Sequence, residues 1–178
     1  PESFYAASKA SNEIMARSYS KIYNIKMTGL RFFTVYGPSG RPDMALYKFT
    51  TNILKNKKIT VYNYGKHKRD FIYVSDVVTF LENIIAKKGQ NRNKFEIYNV
   101  GNNKTVKLKN FITVIGKLLN KKPKIKFVKQ QLGDVEDTHS NSNKAFLHYN
   151  FRPKVKLDDG IENFIKWYKK YNQISNDK

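Results

Sequence analysis

The chain has 178 residues, of which 40% are hydrophobic, so it is long enough for one folded domain with a core of its own. It has no cysteine, which excludes disulfides, thiolate metal sites and cysteine nucleophiles, and its three histidines lack the spacing of paired metal ligands. The formal charge of +20 comes mostly from lysines spread along the whole chain, which favours loose, salt-sensitive binding of anions over specific recognition of nucleic acid.

Taken in chain order, the hydrophobic pattern predicts helices and strands in alternation. A helix is expected over Tyr5–Tyr23, where apolar side chains recur at helical spacing, and a buried strand over Lys26–Tyr36, which is rich in β-branched and aromatic residues. The glycines and prolines of 37–43 then mark a loop. Ser75 is the predicted N-cap of the helix that follows it. The remaining predicted elements are helices over Met44–Asn56, Asp76–Lys88, Lys107–Leu119 and Ile161–Tyr171, strands over Ile59–Tyr64, Arg69–Val74, Phe95–Val100 and Ile125–Val128, and an element over Asn141–Leu147 after a polar loop around Gly133.

This alternation predicts the α/β class with a partly parallel sheet, and the chain has neither an internal repeat nor a long linker. We therefore expect a single unit over 1–178. No apolar run reaches the roughly 18 residues that a membrane span needs, and no signal-peptide pattern is present. The sequence is thus expected to be that of a cytoplasmic protein with no membrane span.

Tyr5 and Lys9 are four residues apart in the first predicted helix, so their side chains share one face. The pKa of a tyrosine is ordinarily about 10, and a cation within about 4–6 Å favours the phenolate and lowers that pKa. Such a pair can therefore act as a base. The same spacing is also typical of an ordinary amphipathic helix, which is the commoner meaning of such a pair.

Several motifs, in the same order, resemble those of one family. Y-x-x-x-K at 5–9 and R-F-F-T-V-Y-G-P at 31–38 resemble the extended short-chain dehydrogenase/reductase superfamily. The longer string over 29–46, K-R-D-F-I-Y-V-x-D at 68–76 and Q-L-G-D-V at 131–135 narrow the resemblance to the UDP-glucuronate 4-epimerases, a group associated with capsular polysaccharide synthesis. The resemblance covers nearly the whole chain.

This resemblance implies the C-terminal portion of an extended Rossmann-type fold, with the end of the parallel sheet and a nucleotide-sugar-binding subdomain. The Tyr/Lys helix and the end of the sheet would occupy about 1–40, and the subdomain about 41–175. In the family, a Gly-rich βα turn that holds the NAD pyrophosphate lies before the Tyr, and this chain has no G-x-x-G-x-x-G. The resemblance therefore implies an N-terminally truncated relative, and we expect the chain alone to bind NAD weakly or not at all and to show no turnover.

The activity that the resemblance implies is NAD-dependent epimerisation at C4, most simply of UDP-glucuronate to UDP-galacturonate. Tyr5 would take the proton of the sugar 4-hydroxyl while a hydride moves from C4 to NAD⁺. Lys9 would lower the pKa of Tyr5 and bind the nicotinamide ribose. Phe32 and Phe33 would pack near the nicotinamide, although plain core packing explains two phenylalanines on a strand equally well.

The resemblance also implies residues for the sugar. Thr34 would face the sugar and bind the hexuronate carboxylate. Arg41 lies on a Gly/Pro loop, from which a guanidinium could reach a carboxylate or phosphate through two hydrogen bonds. A solvated loop arginine is the alternative for Arg41.

For the nucleotide, Arg69 resembles the arginine that binds the UDP diphosphate. Gln131 stands where many relatives have a second such arginine, and Asp134 would accept hydrogen bonds from the uridine ribose. The strand around Val61-Tyr62-Asn63 would lie against the uracil. Leu132 replaces a usual proline, which only loosens a turn.

Two other interpretations stay open. The chain could be a non-catalytic remnant or module that binds nucleotide sugars or other anions through its basic surface. It could also be a related nucleotide-sugar decarboxylase or dehydratase, which ranks lower because eliminating water needs further acid and base residues that the sequence does not reveal. In each enzymatic interpretation the implied partners are a UDP-sugar and a second copy in a homodimer.

Overall fold

Helices and strands alternate along the chain in the computed structural model, which describes residues 1, 3–86, 93–130 and 135–174. Most predicted elements lie within one to three residues of their expected positions. The helices are α1 (Phe4–Ile22), α2 (Ala45–Leu54), α3 (Val74–Ala86), α4 (Leu108–Leu118), α5 (Asn143–Tyr149) and α6 (Leu157–Tyr171). The strands are β1 (Met27–Phe32), β2 (Thr34–Tyr36), β3 (Lys58–Val61), β4 (Lys68–Tyr73), β5 (Phe95–Val100), β6 (Thr105–Lys107) and β7 (Lys124–Phe127).

The strands pair mainly in parallel. β1 pairs with β5, β2 with β4, and β3 with β7, each in parallel, whereas β6 runs antiparallel to β4. Parallel pairs require crossover connections, which the intervening helices supply. The α/β class with a partly parallel sheet is thus confirmed.

The core lies on both faces of β4. Phe71 belongs to a cluster that includes buried side chains of α2, α4 and α6, and its ring stacks on that of Phe111 at a centroid distance of 4.2 Å. Ile72, the next residue, points into a second cluster with Phe80 of α3 and Tyr149 of α5. Because successive strand residues face opposite sides, β4 is covered by helices on both faces.

α1 is covered far less than the other helices. Its predicted apolar stripe is exposed, and the exposed fraction of these side chains ranges from 54% for Met15 to 72% for Ile22. Ser20 is its buried residue, and its hydroxyl donates to the Ile25 carbonyl at 2.6 Å and is 3.1 Å from the Lys94 carbonyl. Of the helices in the described ranges, none has the length and apolarity that crossing a bilayer requires.

Two predictions of secondary structure were wrong, and one strand was missed. The single buried strand over Lys26–Tyr36 is divided at Phe33 into β1 and β2, which pair with different strands, and β1 is half-exposed rather than buried. Ser75 is not an N-cap, because α3 begins at Val74, directly after β4. The short strand β6, which is held by its pairing with β4, was not predicted.

Candidate functional site

Tyr5 and Lys9 lie one turn apart near the start of α1. Ser3 caps this helix, since its hydroxyl accepts a hydrogen bond from the Ala6 backbone N–H at 3.1 Å. The Lys9 ammonium lies over the Tyr5 ring, 5.4 Å from its centroid, so the two side chains share a face of the helix as predicted. Tyr5 is 72% exposed, which leaves it accessible to a ligand.

A cleft between α1 and β1, the α1 cleft, adjoins this pair. Its volume is about 550 Å³, and Tyr5, Lys9 and Phe32 contribute to its lining. Arg31 of β1 donates two hydrogen bonds of 2.6 Å to the Glu13 carboxylate of α1, and these hold the pKa of Glu13 below its usual range. The pair fixes α1 to β1. Sequence analysis missed it, because the partners are 18 residues apart on different elements.

A second space, the central cavity, has a volume of about 500 Å³ and is lined by Tyr5, Phe32, Thr34 and Arg41. Tyr5 and Phe32 also line the α1 cleft, so the two spaces meet at these side chains. Phe32 is 49% exposed and therefore faces these spaces instead of the core. Phe33, at the break between β1 and β2, lines the central cavity as well. The structure thus brings together five of the residues singled out in the sequence.

Tyrosines are the candidate bases of the central cavity, since none of its described lining residues is Asp, Glu or His. Tyr36 is buried, and this burial raises the pKa of its phenol well above the usual range, with further contributions from nearby Tyr73 and Asp76. Tyr47 packs edge-on against Tyr168, with 4.9 Å between the two ring centroids. Tyr36 therefore stays protonated, which leaves the exposed Tyr5 as the better candidate.

Arg41 is held by a neighbour on its own loop. Its Nε and Nη2 atoms donate to the two carboxylate oxygens of Asp43 at 3.1 and 2.8 Å. Both side chains are exposed, at 73% and 61%, so this pair contributes little to stability. The two hydrogen bonds that Arg41 was predicted to donate to a ligand thus go to Asp43. A bound carboxylate or phosphate could replace Asp43 as their acceptor.

A third space, the Arg69 cavity, has a volume of about 330 Å³ and is lined by Thr34, Tyr62, His67 and Arg69. Thr34 also lines the central cavity, so these two spaces share that residue. The Arg69 Nη1 atom donates to the Glu136 carbonyl at 2.7 Å, which anchors the guanidinium beside the cavity. A phosphate at this position would meet an arginine that is already oriented.

The other residues predicted for the nucleotide have different positions. Tyr62 lines the Arg69 cavity, whereas Val61 is buried in the core. Of these two residues, Tyr62 is therefore the one that could contact the uracil. The Asn63 side chain donates to Glu136 at 3.3 Å. Gln131 and Asp134 lie outside the described residues.

Asp70, next to Arg69, is the centre of a buried hydrogen-bond network. Its carboxylate accepts hydrogen bonds from the Asn102 N–H at 2.7 Å, the Ser140 N–H at 3.0 Å and the Ser140 hydroxyl at 2.5 Å. The Asn103 side-chain oxygen accepts from Ser142 N–H at 2.8 Å. This network joins β4 to the loop after β5 and to the segment before α5. Its role was not predicted, because the partners of Asp70 are 32 and 70 residues away.

Comparison with known proteins identifies similar chains. The family model described as "NAD dependent epimerase/dehydratase family" matches residues 1–101. An uncharacterized protein of Methanocaldococcus jannaschii is 50% identical over 168 residues, which are 94% of this chain and 50% of that protein. UDP-glucuronate 4-epimerase 5 of Arabidopsis thaliana is 42% identical over 181 residues, with 94% of this chain and 42% of that protein covered.

Among solved structures, the UDP-glucuronic acid 4-epimerase of Bacillus cereus in complex with UDP-glucuronic acid and NAD is similar with a TM-score of 0.89 and 29% identity. The similarity covers 96% of this chain and 54% of that one. The chain thus spans about half the length of the curated relatives that it matches. The expected likeness to part of an extended Rossmann-type fold is confirmed.

Proposed function

The chain belongs to the NAD dependent epimerase/dehydratase family, and we propose that it forms the base and the nucleotide-sugar side of a C4 epimerase that acts on a UDP-hexuronate. The interconversion of UDP-glucuronate and UDP-galacturonate is the reaction proposed, with a role in surface polysaccharide synthesis. The segment 1–40 would supply the base and the end of the Rossmann sheet, and 41–175 the nucleotide-sugar subdomain.

The observation that carries this proposal is the continuous series of three spaces. The α1 cleft and the central cavity share Tyr5 and Phe32, and the central cavity and the Arg69 cavity share Thr34. A nucleotide sugar is an elongated ligand with a sugar, a diphosphate and a nucleoside. The series can accommodate these parts in order, with the sugar beside Tyr5 and the diphosphate beside Arg69.

The residues of the α1 cleft fit the nicotinamide end of NAD. They offer an ammonium and a phenol for ribose hydroxyls and a half-exposed phenylalanine ring for the nicotinamide. No G-x-x-G-x-x-G turn for the pyrophosphate occurs in this sequence, so the fit is to one end of the cofactor. When bound, NAD⁺ would supply the hydride acceptor for C4.

The protein's own part in the reaction is proton transfer and orientation. Tyr5 would accept the proton of the sugar 4-hydroxyl on its phenolate oxygen and return it after the 4-keto sugar has turned, with the Lys9 ammonium 5.4 Å from the centroid of its ring. Thr34 and Arg41 would bind the carboxylate, Arg41 by exchanging Asp43 for the ligand. Gln131 and Asp134 keep their proposed roles at the diphosphate and ribose.

Epimerisation is proposed ahead of elimination of water because it needs fewer proton-transfer groups. A dehydratase needs an acid and a base besides the tyrosine, and no residue of this chain is assigned to those roles. A C4 epimerase needs one group that accepts and returns one proton, and Tyr5 is such a group.

Ligand binding by the chain itself is the first test. In calorimetry with UDP-glucuronate, we expect saturable binding that Arg69→Gln weakens at least about tenfold, since a charged hydrogen-bond donor to the diphosphate is lost. Arg152→Gln is the matched control, because Arg152 lies over the Phe146 ring and lines none of the three spaces. Equal affinities of the two variants would contradict the assigned diphosphate site.

Turnover is the second test. The chain alone should form no UDP-galacturonate, whereas a chimera with the part of the Methanocaldococcus relative outside the matched region should form it. In that chimera, Tyr5→Phe should lower kcat by at least about 100-fold, and Tyr19→Phe on the same helix should not. A Tyr5→Phe chimera of normal activity would refute the assigned base. A chimera that binds UDP-glucuronate without turnover would favour the binding-module alternative.

A further inference from the structure

Acidic residues are missing from two long segments of this chain. None occurs between Asp43 and Asp70, and none between Glu96 and Asp134. The first segment contains seven lysines and arginines and the second contains nine, out of 34 in the whole chain. The two segments pack together, because β3 of the first pairs with β7 of the second. Nearly half of the positive charge is therefore gathered in one part of the fold without carboxylates of its own.

Strand register places several of these lysines side by side. Lys58 lies opposite Lys124, and Thr60 lies opposite Lys126. Ile59 is fully buried and Val61 nearly so, which means that Lys58 and Thr60 point away from the core. Partners in register point the same way, so Lys124 and Lys126 share the outer face.

The loops that enter these two strands add further charge. Because the strands are parallel, both loops lie at the same end of the pair. Lys57 ends one loop, and Lys121 and Lys122 belong to the other, and all three are exposed. The lysine face is defined by six exposed residues: Lys57, Lys58, Lys121, Lys122, Lys124 and Lys126.

The lysine face has no counter-charge from the described part of the chain. Elsewhere lysines pair with acidic side chains, as Lys68 does with Asp137 at 3.1 Å and Lys166 with Glu162 at 2.6 Å. In the described residues, none of the six has such an ion pair. Like charges directly opposite on neighbouring strands are destabilising. The face thus opposes folding slightly, and an external anionic surface would relieve that repulsion.

We infer that the lysine face docks the protein on the surface of an anionic lipid bilayer. Its charges are all lysines, which act as point charges and suit the diffuse field of lipid headgroups, whereas nucleic-acid readers use the two-pronged arginine. Ile125 and Phe127 pair in register with the core-facing Ile59 and Val61, so they lie on the other side of β7 from Lys124 and Lys126. The lysine face therefore contacts the headgroups through its ammonium groups.

Vesicle sedimentation with the purified chain tests this inference. We expect binding to phosphatidylcholine vesicles that contain about one third phosphatidylglycerol, none to phosphatidylcholine alone, and loss of binding in high salt. Each lysine at such a surface strengthens binding about fivefold. Replacing Lys58, Lys122, Lys124 and Lys126 by Gln should therefore weaken binding at least about 30-fold.

A matched variant distinguishes an effect of the lysine face from an effect of the net charge. Replacing Lys21, Lys154, Lys156 and Lys170 by Gln removes the same charge from exposed positions on other elements, and it should weaken binding less than about fivefold. Equal losses in both variants, or no binding to anionic vesicles, would overturn the inference. Tighter binding to duplex DNA than to vesicles at equal salt, lost in the first variant, would also overturn it and would assign the face to nucleic acid.

A single-site probe tests the contact without multiple substitutions. The chain has no cysteine, so Lys126→Cys on the outer face of β7 can be labelled with a polarity-sensitive dye. Lys21→Cys, on exposed α1, removes the same charge and is the control. A blue shift on anionic vesicles at Lys126→Cys alone supports the docked orientation, and a shift at neither position or at both contradicts it.

Discussion

Glu96 is a buried carboxylate kept ionised by the groups around it. Burial favours its neutral form, but hydrogen bonds from the Tyr98 hydroxyl and from the Asn93 amide at 3.0 Å, with Lys144 at 3.6 Å, outweigh that effect and hold the pKa of Glu96 below its usual range. The Tyr98 hydroxyl also lies 2.8 Å from the Nδ1 atom of His148. This cluster links β5 to α5, away from the three spaces of the site.

Glu96→Gln should lower the free energy of unfolding by about 1–3 kcal/mol at pH 7, because the hydrogen bonds lose their charged acceptor. A lowered carboxyl pKa in the folded state stabilises the protein above the unfolded pKa of about 4.3, and that stability is lost as pH falls through the folded value. The difference between wild type and variant should therefore shrink below about pH 4 in denaturant titrations.

The control for this prediction is Glu162→Gln. Glu162 pairs with Lys166 four residues away on the surface of α6, and such pairs contribute only about 0.3–0.5 kcal/mol. If the two variants lose similar stability, or if the Glu96→Gln difference does not change with pH, the buried carboxylate is not stabilised as argued.

At the scale of elements, Asp70 holds three separate segments in place. Its carboxylate is fully buried and accepts from two backbone N–H groups and a hydroxyl. Asp70→Asn should lower the free energy of unfolding by about 2–4 kcal/mol. The NH₂ group of the asparagine side chain would replace one of the carboxylate oxygens and would then face the N–H and O–H donors that this oxygen accepts from. Asp158→Asn, at an exposed position in the first turn of α6, should cost less than about 1 kcal/mol. Equal losses would show that the network contributes nothing specific.

The packing of α6 on β2 depends on a glycine. A Cβ at Gly160 would lie 2.5 Å from the Tyr36 hydroxyl oxygen and 2.7 Å from the Cδ2 atom of Tyr73. Gly160→Ala should therefore destabilise by about 1–3 kcal/mol, although alanine favours a helix more than glycine does. Thermal unfolding can measure this, with Asn163→Ala on the exposed side of α6 as the control.

A second substitution identifies the cause of this loss. Adding Tyr36→Phe to Gly160→Ala removes the closest contact and should recover part of the stability, because the neighbouring ring atoms remain close. If the double variant is no more stable than the summed effects of Gly160→Ala and Tyr36→Phe predict, the clash with the Tyr36 hydroxyl does not cause the loss of stability in Gly160→Ala.

Elements with strong local patterns could be predicted from the sequence, and elements defined by distant partners could not. The apolar spacing of α1 and the β-rich run of β5 located both to within one residue. The division at Phe33 depends on β1 and β2 pairing with different strands, which no local pattern reveals. Asp76 illustrates the same limit. The local pattern predicts it as the start of α3, which begins at Val74, and gives no sign that its carboxylate accepts hydrogen bonds from the Lys154 and Val155 N–H groups.

In the candidate site, too, features with a local pattern could be predicted and features that depend on the folded chain could not. Helical spacing alone predicted that Tyr5 and Lys9 share a face, whereas the resemblance to the family implied the other predicted residues that line the α1 cleft and the central cavity. The partner of Arg41 was missed although it is two residues away, since the side-chain direction depends on the folded loop. The Glu136 carbonyl that anchors Arg69 is 67 residues distant and carries no sequence signal.

At the scale of the whole molecule, the central cavity lies where two strands of the α/β fold end. Phe32 ends β1, and the 37–43 loop with Arg41 follows the end of β2. Ligands of open α/β sheets bind beyond the carboxyl ends of the strands, where loops can vary without disturbing the core. The lysine face lies on the outer side of the β3–β7 pair, where Thr60 also lines the Arg69 cavity. The proposed docking surface and the nucleotide end of the proposed site are therefore neighbours in the fold.

The net charge of +20 should make stability depend on salt in a way that identifies where the repulsion lies. Self-repulsion opposes the compact state, and salt screens it, so the melting temperature should rise by several degrees between about 20 and 500 mM NaCl. The Gln variant of Lys58, Lys122, Lys124 and Lys126 should melt higher than wild type in low salt and gain less from added salt. Its matched variant at Lys21, Lys154, Lys156 and Lys170 should keep most of the wild-type salt response, because those lysines have no partner lysine opposite them in a strand pair. Identical salt responses of the two variants would mean that the repulsion is spread evenly over the molecule and that the lysine face is no more strained than the rest of the surface.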